Sequence, residues 1–150
     1  MKTKSDIGLV GLAVMGENLV LNIESKGFTV TAYNRSYNKV EKFLKGRAQG
    51  KNIRGVDNIE SLVSSLEKPR KVMLMVKAGQ VVDDYIEQLI PHLEKGDIII
   101  DGGNSNFKHS VKMGSMLEEY DIGFMDCGTS GGVWGLNEGY CLMVGASLEV

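Results

Sequence analysis

The 150 residues are 43% hydrophobic and 24% charged, with 17 basic and 19 acidic side chains for a formal net charge of -2, which predicts one compact domain that holds its core without disulfide or metal. The balanced charge excludes the broad basic footprint of a nucleic-acid binder; with no apolar stretch of membrane length and no apolar core in the opening MKTKSDIG, a cytoplasmic protein is expected. Glycine is the outlier at 19 residues, clustered directly after apolar runs as at binding turns and not spread as filler.

The first predicted strand, Asp6 to Gly11, runs into Gly11-Leu12-Ala13-Val14-Met15-Gly16 and then a helix carrying Leu19, Val20 and Ile23. Strand, G-x-A-x-x-G turn and helix stand in the order of a dinucleotide fingerprint. Gly11 allows a tight reversal, small Ala13 lets a pyrophosphate approach the backbone, Gly16 lets the helix pack closely on the strand, and the unpaired amides of the helix start face the phosphates. An ordinary tight turn between strand and helix is the plain alternative.

A second strand, Phe28 to Tyr33, ends in Asn34-Arg35-Ser36, where NAD-binding chains usually place an acidic residue against the ribose 2′-hydroxyl. Here a neutral amide, a guanidinium and a hydroxyl stand instead, a set that accepts a 2′-phosphate and favours NADP over NAD. The plain alternative makes Asn34 and Ser36 turn and cap residues with Arg35 in solvent. Val40, Phe43 and Leu44 predict an amphipathic helix, and Asp57 with Glu60 reads as a capping box opening a helix over Asn58 to Leu66.

A third strand, Lys71 to Val76, is followed by Val76-Lys77-Ala78-Gly79 and by an apolar stripe from Val81 to Leu93 that predicts a helix whose last turn Pro91 shortens or bends. The strand Asp97 to Asp101 leads into Gly102-Gly103-Asn104-Ser105, where two glycines leave room for a nicotinamide ring and Asn104 offers an amide to cofactor or substrate; the plain alternative is a loop with a helix cap. Met113, Met116 and Leu117 mark another helix. The strand Gly123 to Cys127 opens into Gly128 to Gly135, where free amides and the Ser130 hydroxyl offer an oxyanion site and Trp134 either closes over a ligand or packs on its own domain. Tyr140 to Val144 is the sixth strand. Cys127 and Cys141 lack CxxC spacing and read as small apolar packing residues, and His92 and His109 stand apart, so no zinc pattern is present.

At least five helices thus alternate with six strands, which predicts an α/β fold: a Rossmann-type doubly wound, mainly parallel sheet with helices on both faces. In such a sheet the carboxyl ends of the strands share one rim, so the four motifs converge on one crevice.

Together, Gly-Leu-Ala-Val-Met-Gly-Glu-Asn from Gly11, Tyr-Asn-Arg-Ser from Tyr33, Met-Val-Lys-Ala-Gly from Met75 and Ile-Ile-Asp-Gly-Gly-Asn-Ser from Ile99 resemble the decarboxylating 6-phosphogluconate dehydrogenases over essentially the whole chain. That family oxidises 6-phosphogluconate with NADP and releases ribulose 5-phosphate and carbon dioxide. The resemblance implies that Gly11, Leu12, Ala13, Val14, Met15 and Gly16 bind pyrophosphate, Asn34, Arg35 and Ser36 the 2′-phosphate end, and Val76, Lys77 and Ala78 the cofactor near its ribose. It further implies that Asn104 meets cofactor and substrate, that Ser130, Gly131 and Gly132 bind substrate, and that the full-length enzyme is a homodimer.

Two departures qualify the resemblance. The segment Gly128 to Ala146 carries Val133-Trp134-Gly135-Leu136 and Cys141-Leu142-Met143-Val144, similar to the short-chain, often NAD-linked branch. Residues 1–150 also correspond to the NADP-binding domain alone; the family's lysine base and glutamate acid belong to a downstream helical domain and have no counterpart here. The expectation is cofactor binding with negligible turnover by these residues by themselves. The β-hydroxyacid dehydrogenases, which usually carry an acidic residue after the second strand and lack Asp-Gly-Gly-Asn-Ser, are the near rival, and a non-catalytic NADP-binding module is the rival of another class.

Overall fold

A computed structural model describes residues 3–150. Its sheet has seven strands in the order β3-β2-β1-β4-β5-β6-β7, formed by β1 (Ile7–Val10), β2 (Val30–Tyr33), β3 (Ile53–Val56), β4 (Lys71–Leu74), β5 (Ile98–Asp101), β6 (Gly123–Ser130) and β7 (Cys141–Ala146). The first six run parallel and β7 pairs antiparallel with β6. The helices are α1 (Val14–Ser25), α2 (Tyr37–Lys45), α3 (Ile59–Ser64), α4 (Gln80–Leu89), α5 (Phe107–Glu118) and the short α6 (Gly135–Glu138).

Side chains alternate across each strand, so one sheet feeds two cores. Leu9, Val30, Ala32 and Met73 pack against Leu19 and Val20 of α1 and Val40 and Phe43 of α2. Val10, Tyr33, Val72, Leu74 and Ile99 pack on the other face against α3, α4 and α5 through Leu62, Ile86, Leu89, Met113 and Leu117. The doubly wound architecture is therefore present, and the strand order reverses between β1 and β4, which opens a crevice at their carboxyl ends.

Several elements differ from expectation. The strand β3 escapes the hydrophobic pattern because Arg54 and Gly55 interrupt it; Gly55 is dictated by packing, since a methyl group there would lie 2.4 Å from Val40 Cγ1. The cap of α3 is Asn58, whose side chain accepts from the Ser61 amide at 2.7 Å, and not Asp57, which instead accepts from Asn58 Nδ2. Pro91 does end α4 early, in a 3-10 turn over Ile90–His92. His109 is not isolated in space: its Nε2 lies 2.5 Å from Asp83 Oδ1 and ties α5 to α4. Among the described residues no helix is long and apolar enough to cross a membrane.

The cysteines part company. Cys127 is buried in the α1/α2 core, whereas Cys141 sits exposed on β7, all of whose residues are exposed, so Cys141 is not a packing residue. Burial pushes the Cys127 thiol pKa up, against a weaker opposing hydrogen bond from Thr129. A thiol reagent at about pH 8 is expected to label Cys141 rapidly and Cys127 only after unfolding, because the thiolate is the nucleophile; mass spectrometry of native and denatured samples reads this directly, and equal labelling of both in the native protein would contradict it.

Candidate functional site

The crevice is built from the chain segments that leave the carboxyl ends of β1, β2, β4, β5 and β6. After β1 the chain turns at Gly11, with φ +103°, and α1 begins behind Ala13, an extended N-cap residue whose side chain satisfies none of the first-turn amides. A methyl group at Gly11 would lie 2.3 Å from the Met75 carbonyl oxygen, and one at Gly16 would lie 1.9 Å from the Gly11 carbonyl oxygen. Both glycines are thus required by close backbone approach, the first by the segment that leaves β4 and the second by the turn itself. The helix start offers donors to an anion, with Ala13 and Val14 exposed beside it.

The first two amides of the turn are committed internally. Gly11 N–H donates to Tyr33 O at 2.9 Å and Leu12 N–H donates to Asn34 Oδ1 at 3.0 Å. Asn34 Nδ2 donates in turn to Ser36 O at 3.2 Å. Arg35 and Ser36 are exposed, and Ser36 occupies the N-cap position of α2 without a side-chain capping bond. Next to the glycine turn a groove of about 590 Å³ is lined by Leu12, Ala13, Val14, Lys39, Lys42 and Arg47, among others. Arg47 is held by Glu17 Oε2 at 2.8 Å and Asn18 Oδ1 at 2.5 Å, which leaves Lys39 and Lys42 as its unpaired cations among the described residues.

The strand β4 ends at Leu74, two residues short of expectation, so Val76, Lys77 and Ala78 form an irregular rim segment with Lys77 exposed. It abuts the next loop: a methyl group at Gly103 would lie 2.7 Å from the Val76 carbonyl oxygen, and one at Gly102 would lie 2.5 Å from Met75 Sδ. Gly103 is thus required by close approach to backbone, whereas Gly102 packs against the mobile ends of the Met75 and Met73 side chains. Asp101, fully buried, organises the loop by accepting from Gly103 N–H at 2.9 Å and from Ser105 Oγ at 2.5 Å. The Asp-Gly pair is the sequence signal for such a side-chain-capped turn. The helix cap that follows is Asn106, which accepts from the Lys108 amide at 3.0 Å.

Asn104 adopts φ +58°, and its side-chain amide mimics a strand: Oδ1 accepts from Thr129 N–H at 2.9 Å and Nδ2 donates to Thr129 O at 3.4 Å. This clasp brings Asn104 beside Ser130. Thr129 carries no sequence signal for this role, because the partner is its backbone. The Ser130 segment also differs from expectation: β6 runs on to Ser130, paired through Gly128↔Met143, Thr129↔Leu142 and Ser130↔Cys141, so residues 128–130 belong to the sheet and not to a free amide loop. The backbone leaves the strand at Gly131, with φ +144°, and Gly132, with φ +50°. Tyr140 packs beneath Gly131 and Gly135, and its hydroxyl donates to Gly132 O at 3.4 Å. Trp134 is 71% exposed and belongs to neither core.

Contacts therefore join the predicted segments in sequence: Ser36 to Leu12 through Asn34, Gly11 to Met75 and Val76, Val76 to Gly103, and Asn104 to Thr129, the residue before Ser130. The result is one continuous rim with no carboxylate at residues 34–36.

Residues 6–150 match the family described as the NAD binding domain of 6-phosphogluconate dehydrogenase. The chain is similar to the decarboxylating 6-phosphogluconate dehydrogenase of Haemophilus influenzae, with 54% identity over 99% of this chain and 31% of the relative. It is also similar to a decarboxylating 6-phosphogluconate dehydrogenase of Saccharomyces cerevisiae, with 53% identity over 99% of this chain and 30% of that protein. The chain thus spans about a third of the length of the curated relatives it matches. Among solved structures, that of the Plasmodium falciparum 6-phosphogluconate dehydrogenase, studied apo, with NADP+ and with 6-phosphogluconate, superposes with a TM-score of 0.89 at 45% identity over 96% of this chain and 31% of that one. The Mycobacterium tuberculosis 3-hydroxyisobutyrate dehydrogenase shares the fold, with a TM-score of 0.80 at 20% identity over 95% of this chain and 46% of that one.

Proposed function

Since the chain belongs to the family of 6-phosphogluconate dehydrogenase NAD-binding domains, we propose that it binds NADP along the rim and serves as the cofactor domain, residues 1–150, of a decarboxylating 6-phosphogluconate dehydrogenase. The continuous rim from Ser36 to Ser130 carries this reading. The cofactor supplies the hydride acceptor for oxidation of 6-phosphogluconate, whose keto acid then loses carbon dioxide to give ribulose 5-phosphate. The residues present fit it: α1 has uncapped first-turn amides, Gly11 and Gly16 admit no side chain, and residues 34–36 carry no negative charge.

In this reading the turn from Gly11 to Gly16, chiefly through the amides of α1, holds the pyrophosphate. Arg35 and Ser36, with Lys39 and Lys42 nearby, supply charge and a hydroxyl to the 2′-phosphate. Val76, Lys77 and Ala78 line the cofactor toward its ribose. Asn104, held by Thr129, faces both cofactor and substrate, and Ser130, Gly131 and Gly132 receive 6-phosphogluconate. The proton-transfer groups belong to a helical domain of the longer enzyme, which acts in the cytoplasm as a homodimer.

Calorimetric titration with NADP and NAD at matched salt and pH tests the reading. NADP is expected to bind at least about tenfold more tightly, or about 1.4 kcal/mol, and Arg35→Ala to erase most of that difference. Equal or NAD-favouring affinity would return the cofactor to the NAD-linked branch that Val133 and Trp134 resemble, and no binding of either would remove the cofactor reading for this chain.

A further inference from the structure

Asn34 stands between the two ends of the crevice. The ladder joining β1 to β2 closes with Gly11 N–H donating to Tyr33 O. The next donor along the chain, Leu12 N–H, belongs to a buried residue that has passed the end of the strand, and Asn34 Oδ1 takes it at 3.0 Å. Only the oxygen of the amide can accept there, so Nδ2 is turned the other way, where it donates to Ser36 O at 3.2 Å. One side chain thus fixes the start of the glycine turn to β2 and sets the path of the backbone as it enters α2. Both of its polar atoms are engaged within the protein.

Resting on the NADP reading above, we propose that Asn34 is a positioning residue that couples the pyrophosphate turn to the 2′-phosphate strand end, and that the discrimination between NADP and NAD resides in Arg35 and Ser36. An Asn34 that touched only the 2′-phosphate would matter to NADP alone. An Asn34 that holds the turn matters to every dinucleotide, because the pyrophosphate is common to both.

Two variants separate these roles. Asn34→Ala removes the acceptor for Leu12 and the donor to Ser36, and is expected to weaken NADP and NAD alike by about five- to tenfold, leaving their ratio within about twofold of the parent's. Asn34→Asp keeps an acceptor for Leu12 N–H but adds negative charge beside the 2′-phosphate; NAD affinity stays near the parent's while NADP affinity falls. Amide hydrogen exchange at Leu12 without nucleotide supplies the independent readout, faster in Asn34→Ala and near the parent's rate in Asn34→Asp. Loss of NADP affinity alone in Asn34→Ala, with Leu12 exchange unchanged, would overturn the proposal and make Asn34 a direct phosphate ligand. If the parent chain binds neither nucleotide, the cofactor reading fails, and Leu12 exchange still decides the tether: acceleration in Asn34→Ala supports it and an unchanged rate overturns it.

Discussion

Gly16→Ala is expected to lower dinucleotide affinity by about a hundredfold or more, equivalent to about 2.7 kcal/mol, while the domain still folds. The added methyl would lie 1.9 Å from the carbonyl oxygen of Gly11, and that atom cannot rotate away as a flexible side chain would. Relief requires α1 to lift from the turn, which moves the Val14, Met15 and Gly16 amides from their common aim. Overpacking of this kind usually reduces stability by about 1–3 kcal/mol, so a folded but misaligned site is the expected product. Gly145→Ala is the control, since a methyl there meets nothing within 4 Å and the backbone is unstrained. Parallel NADP titrations and urea melts of the two variants would check this, and retention of near-parent affinity in Gly16→Ala would mean that the turn does not hold the pyrophosphate.

The Gly16 constraint was open to sequence reasoning because it is local: the six-residue motif from Gly11 to Gly16 suffices to infer that its last glycine permits close packing of helix on strand. The same locality made β1, β2, β4 and β5 legible from their apolar runs, and Pro91 legible as the stop of α4. What escaped depended on partners distant in sequence. The strand β3 is defined by pairing with β2 and by Val40 and Leu44 pressing on Gly55, which composition of the segment does not convey. The bonds of Asn34 to Leu12 and Ser36 need β1 and β2 already side by side, so its residue type alone does not name its partners. Residues 128–130 read as a glycine-rich loop until β7 folds back to pair with them. Cys141 then falls on the exposed outer strand, against the usual burial of a free cysteine. At the site, residue types were legible and the hydrogen-bond partners that hold them in place were not.

The opposite end of the sheet yields the second large effect: Asp97→Ala is expected to destabilise the domain by about 3–5 kcal/mol with little change in cofactor affinity. Asp97 is 1% exposed and precedes β5, as Arg70 precedes β4. Its Oδ1 accepts from Arg70 N–H at 2.7 Å, and its Oδ2 accepts from Arg70 Nη1 and from Glu94 N–H, each at 2.9 Å. Burial disfavours the Arg70 guanidinium, but hydrogen bonding and charge from Asp97, aided by Glu94, outweigh it and raise its pKa. Removing Asp97 would leave that guanidinium largely buried, with its Nε already unpartnered and only the exposed Glu94 in reach, and two backbone amides without acceptors. For a domain whose whole stability is about 5–15 kcal/mol, this is a large share. Asp97→Asn should cost less, since the amide oxygen can still accept from one backbone N–H while the charge is lost. Because the cluster lies at the amino ends of β4 and β5, a strand's length from the rim, urea midpoints should fall steeply while NADP affinity of the folded protein stays within about twofold. Parallel loss of affinity and stability would instead mean that the strand ends at the rim are held in place from the far side of the sheet.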